Sequence, residues 1–179
     1  MSEYDLSSPS ATRTRFLNWL QSFNRVMVAQ SSPEFRNLFE KAGYWKDILA
    51  YTWEHRTFSG PEEIERAFAG SAGRVGARNF RLAEGRSAPL LVRRMGVPVI
   101  EAYLEFDTTV GKGVGFVRLH AEENSPSYQK IWVLLTTLHE LKGHEEKIGQ
   151  ARPTGDEFSK IVSPFSWSQI RERERSFVS

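Results

Sequence analysis

A chain of 179 residues fits one domain with short tails and is too short for two full catalytic domains. Its composition, 40% hydrophobic, 12% aromatic and 26% charged, is that of a folded globular protein. Lys+Arg 24 against Asp+Glu 22 leaves a formal charge of +2, too small for a nucleic-acid-binding surface, and zero cysteines exclude disulfides, thiolate catalysis, iron–sulfur clusters and cysteine-based zinc sites. The start of the chain has no basic cluster and no apolar stretch, and the longest later apolar run is Ile131 to Leu135. Neither a signal peptide nor a membrane span is expected, and a cytoplasmic location is.

Residues 1–12 are rich in Ser, Thr and Pro and read as a flexible N-terminal arm. From Arg13, Phe16, Leu17, Leu20, Phe23 and Met27 recur at helical spacing and predict an amphipathic helix. Ser32-Pro33-Glu34 opens a second, shorter helix to about Lys41, with proline and acid placed for a first turn. Tyr44 to Phe58 reads as extended. Gly60-Pro61-Glu62-Glu63 starts a third helix with Ile64, Ala67 and Phe68 as its buried stripe, expected to stop in Gly70-Ser71-Ala72-Gly73. Beyond Asn79 a period of two predicts strands over 79–82, 89–94, 97–109, 113–121 and 131–141, with Gly111-Lys112-Gly113 as a hairpin turn. Helices segregated ahead of strands predict an α+β fold: three helices packed on a curved antiparallel sheet. A pocket domain over 13–165 and a charged C-terminal tail over 166–179 complete the organisation.

The stretch Gly43-Tyr44-Trp45-Lys46-Asp47 through His55-Arg56-Thr57-Phe58-Ser59-Gly60 resembles the nuclear transport factor 2-like, or SnoaL-like, superfamily. It is most similar to the SnoaL-like segment at the N-terminus of fungal flavin-containing monooxygenases. Phe106-Asp107-Thr108, Gly115 to Leu119, Trp132, and Leu138-His139-Glu140-Leu141-Lys142-Gly143-His144 with Arg152-Pro153 extend the resemblance over about residues 35–171. No Gly-x-Gly-x-x-Gly turn after a strand follows, so flavin and nicotinamide are not expected. Met1 and the polar lead-in read as a natural start, hence a free-standing descendant. The resemblance implies a cone with an internal apolar pocket, cofactor-free chemistry and a homodimer.

Asp47 is the first catalytic candidate, because it matches the place of the carboxylate in ketosteroid isomerases; capping a turn or pairing with Arg56 explains it equally well. Tyr103 and Arg56 join it as groups that polarise a carbonyl or move a proton. Trp45, Trp53, His55, Phe106, Phe116 and Trp132 are expected to line the substrate site, although a tryptophan such as Trp132 serves equally as core. On the strand over 97–109, Glu101, Tyr103, Glu105 and Asp107 share one face, where most of the acids are expected to be solvated or salt-bridged to arginines such as Arg93, Arg94 or Arg118. His139 and His144 are five apart with Gly143 between, so no metal is expected. The function expected is a cofactor-independent cyclase or isomerase, dehydration or pericyclic ring closure included, acting on a hydrophobic natural-product intermediate of secondary metabolism, without nucleic-acid or membrane partners. The alternative is a non-catalytic ligand-binding or dimerisation domain derived from a flavin monooxygenase.

Overall fold

The computed structural model describes residues 8–145 and residue 168. The first seven residues of the expected arm, and the charged tail apart from residue 168, lie outside the described residues. Residues 8–144 belong to one compact unit.

Helix α1 (Pro9–Ala29) starts before Arg13 because Ser8 caps it: its Oγ accepts from the Ala11 amide at 3.1 Å, and Pro9 is preset for the first turn. Its buried face carries Phe16, Trp19, Leu20, Phe23 and Met27, whereas Leu17 is half exposed. Helix α2 (Ser32–Asn37) stops short of Lys41, since the Leu38 carbonyl is taken at 2.7 Å by the Ile131 amide and the chain goes over to strand pairing. The aromatic stretch that follows is two strands rather than one, β1 (Phe39–Ile48) and β2 (His55–Ser59), paired antiparallel across residues 49–54. Leu49 and Trp53 take left-handed backbone conformations in that loop, φ 65° and 59°.

Helix α3 (Pro61–Val75) runs through the glycines expected to stop it. Each helical glycine costs about 1 kcal/mol against alanine. Burial of Ser71, Ala72 and Val75 offsets that cost, and the left-handed residue that ends the helix is Gly76.

Strands β3 (Arg78–Leu82), β4 (Leu90–Arg94), β5 (Val97–Asp107), β6 (Gly111–His120) and β7 (Ile131–Leu141) complete a seven-stranded sheet in the order β2-β1-β7-β6-β5-β3. Strand β4 shares the edge of β5 with β3: it pairs over Val97–Glu101, and β3 pairs over Leu104–Asp107. The sheet is mixed, for β1 and β7 run parallel while the other pairs are antiparallel. Gly111-Lys112-Gly113 is strand, not turn. The reversal lies just before it, closed by the Thr108 amide to the Gly111 carbonyl and the Gly111 amide to Thr108 Oγ1, both 2.9 Å. Gly113 stands opposite Phe106, and a Cβ there would run into the Phe106 ring.

Alternation along the strands gives the sheet two unlike faces. The inner face, against the helices, carries Trp45, Leu104, Phe106, Val117 and Leu134, all buried. Rings occupy the middle of the cone: Phe35 stacks on Phe68 at 3.9 Å, Phe80 on Phe106 at 4.7 Å, and Trp45 meets Tyr51 edge-on at 5.0 Å. Among the described residues no helix is long and apolar enough to cross a membrane.

Candidate functional site

Asp47 is an inner-face residue of β1 and has no exposure to solvent. It sits where the chain leaves β1 for the 49–54 loop. Oδ2 accepts from the Tyr51 amide (3.0 Å), the Thr52 amide (2.8 Å) and Thr52 Oγ1 (2.9 Å). Oδ1 accepts from Thr136 Oγ1 at 2.7 Å, and that hydroxyl in turn receives Trp45 Nε1 at 2.9 Å. A carboxylate that accepts this many hydrogen bonds is held as an anchor: it caps the turn and ties β1 to β7. Next to it, Tyr51 has a buried hydroxyl with no hydrogen-bond partner among the described residues. Burial, and after it the negative charge of Asp47, push the Tyr51 phenol well above its ordinary range, so it stays a neutral O–H.

The other expected site residues fall in different places. Trp45 and Phe106 are fully buried in the core with Asp47. Arg56 and His55 lie on β2, exposed; Arg56 is opposite Asp47 in register, but its guanidinium is 3.7 Å from Glu54 and lies over the Phe58 ring. Trp53 is half exposed in the 49–54 loop. Tyr103, Phe116 and Trp132 stand on the outer face, behind the sheet as seen from Asp47. The structure therefore brings Trp45, Phe106 and Asp47 together, and separately Tyr103 and Phe116, but not Asp47 with Tyr103.

Open space is found on the outer face of the sheet. A cavity of about 470 Å³ opens across β5, β6 and β7, with Tyr103, Phe116, Val114 and Leu135 giving it apolar surface and Arg81, Arg86, Lys112, Glu105, Glu140 and His139 around them. Tyr103 and Phe116 meet edge-on at 5.4 Å, and the Arg86 guanidinium lies 5.7 Å over the Tyr103 ring. Beyond the cavity the same face continues as alternating cation and ring. Arg118 is 5.8 Å from Phe116 and 5.6 Å from Trp132, and Trp132 stacks on His120. Glu101 neutralises the arginines beneath this row, accepting from Arg94 Nε and Nη2 (2.8 and 2.7 Å) and from Arg118 Nε (2.8 Å). Those hydrogen bonds, Arg94 first, hold its carboxyl below the usual range despite partial burial.

Sequence reasoning missed the partners of Asp47, namely Thr52 and Thr136, and the groove residues Arg86 and Thr137. Thr52 follows Asp47 at a spacing suited to a side-chain-capped turn, which is a usable signal. Thr136 is 89 residues away and gives none. Among the described residues no group of three His, Cys, Asp or Glu gathers to hold a metal.

No family model and no curated protein matches the chain. Solved structures do. The fold is similar to a nuclear transport factor 2-like superfamily protein from Salmonella enterica, with TM-score 0.52 and 11% identity over 82% of this chain and 100% of that one. It is also similar to Aln2 from a Streptomyces species, with TM-score 0.51 and 14% identity over 75% and 94%. A domain with a cystatin-like fold from Nostoc punctiforme gives TM-score 0.50 and 11% identity over 94% and 95%. At such identities the likeness is one of fold: an α+β cone of the nuclear transport factor 2-like type, three helices against a curved, open sheet.

Proposed function

We propose that this chain is a non-catalytic ligand-binding domain whose site is the outer-face groove and whose ligand is a hydrophobic small molecule. The supporting observation is the separation of the two candidate centres. The interior acid has its oxygens engaged by Tyr51, Thr52 and Thr136, while a cavity with exposed aromatic surface lies behind the sheet. Saturable binding of a neutral aromatic dye, Nile red, by the full chain, weakened by Tyr103→Ser, is the expected result. Dye binding that ignores Tyr103 counts against the groove.

A second reading keeps the activity expected from the sequence, a cofactor-independent cyclase or isomerase acting on a hydrophobic natural-product intermediate. The Tyr51 hydroxyl favours it, since a buried donor without an acceptor among the described residues, close to a buried carboxylate, is a group suited to polarising a carbonyl. Incubation of the chain with hydrophobic metabolite extracts, read by mass spectrometry, separates the two. Turnover abolished by Tyr51→Phe supports the enzyme; no turnover by the unmodified chain supports the binding domain. Descent from the N-terminal segment of a fungal flavin monooxygenase, a cytoplasmic location and pairing of two copies belong to the same proposal. Pairing is read directly as a solution mass of twice the 20.5 kDa chain.

A further inference from the structure

We propose that the outer-face groove takes a planar aromatic monocarboxylate, with Arg86 receiving the carboxylate and the Tyr103–Phe116 pair forming the surface on which the rings lie. This rests on reading the chain as a ligand-binding domain and names the ligand's chemistry.

The charges around the groove are mostly spent on one another. Arg81 lies 3.3 Å from Glu105 and 3.4 Å from Asp107, and Lys112 lies 3.7 Å from Glu140. Arg86 is the groove cation with no ion pair among the described residues. It is nevertheless placed, because its guanidinium rests over the Tyr103 ring. A planar fork held in position loses little freedom on binding, and it matches a carboxylate in two parallel hydrogen bonds. Glu84, on the same loop, is also without an ion pair among the described residues, and its charge favours a ligand with one anionic group over one with two.

The apolar part fixes the rest of the ligand. Tyr103 is 41% exposed and meets Phe116 edge-on, which leaves ring surface free for a further flat partner. On β7, Thr137 and His139 reach the groove with no side-chain hydrogen bond or ion pair among the described residues, so they can serve an oxygen substituent on the far ring. About 470 Å³ is room for a fused-ring acid.

The test is calorimetric titration of the full chain with 2-naphthoate and with its neutral counterpart 2-naphthylmethanol, repeated on R86Q and Y103A. The expected result is that naphthoate binds more tightly than the alcohol. Loss of the charged hydrogen bonds in R86Q weakens naphthoate roughly tenfold and leaves the alcohol within about twofold. Y103A weakens both. Equal affinities for acid and alcohol, or equal losses in R86Q, overturn the assignment of Arg86. Nile red binding without naphthoate binding overturns the ligand class alone, whereas absence of both overturns the binding-domain reading as well. Arg86 is exposed, so an unchanged melting temperature for R86Q establishes that its effect is on binding.

Discussion

A carboxylate with no ion pair keeps its place in an apolar interior only when its oxygens are hydrogen-bonded, and Asp47 meets that condition with one side chain and one tight loop. Replacing it by Asn sets an amide N–H₂ against donors. Asp47→Asn is expected to cost about 2–4 kcal/mol, read from the urea midpoint at constant m-value. Thr136→Val removes the acceptor of Trp45 Nε1 and one donor to Asp47, and is expected to cost about 1–2 kcal/mol. Because both changes break one network, the double variant should lose less than the sum of the two. The capping role is one of three readings the sequence leaves open, beside a catalytic carboxylate and an ion pair with Arg56, and an Asp followed by a loop with Thr at the right spacing is a local pattern. The link to Thr136 was not legible, because which residue of β7 lies opposite Asp47 is fixed by a parallel register and not by anything near either residue in the chain.

Strands were the legible elements and their joints were not. A period of two marks β5 and β7 plainly, and it also placed Glu101 among arginines. Glycine, by contrast, carries two meanings. In β6 it reads as a turn, yet Gly113 is a strand residue whose missing side chain leaves space for the Phe106 ring. In α3 it reads as a stop, yet packing against the sheet carries the helix on to Val75. Packing of this kind is non-local, so propensity cannot show it. At the edge of the sheet, Arg94 on β4, Glu101 on β5 and Arg118 on β6 form one cluster across three strands. The folded pKa of Glu101 is lowered, so its contribution is fully present above the ordinary carboxylate range and is lost as pH falls through the lowered value. Glu101→Gln is therefore expected to lower the melting temperature by about 2–4 °C at neutral pH, with the gap to the unmodified chain closing as the solution is acidified. A gap that stays constant with pH would show that the carboxylate charge plays no part.

At the scale of the described fold, the sheet separates the packed inner face from the outer face that carries the proposed groove, and the two sides can be tested against each other. Phe106 is the natural probe of the inner side: it has no exposure, stacks on Phe80 at 4.7 Å and lies 6.5 Å from Tyr51, with only a glycine opposite it in β6. Phe106→Ala leaves a hole that the neighbouring rings, fixed by their own contacts, fill poorly, so it is expected to cost about 3–5 kcal/mol. Tyr103 is the probe of the outer side. Truncating an exposed ring there is expected to change stability by no more than about 0.5 kcal/mol. Binding should respond in the opposite sense, with naphthoate affinity held within about twofold in Phe106→Ala at a temperature where it remains folded, and lowered by roughly tenfold in Tyr103→Ala. If the inner variant loses binding while the outer one keeps it, the ligand enters the cone and the groove is only surface.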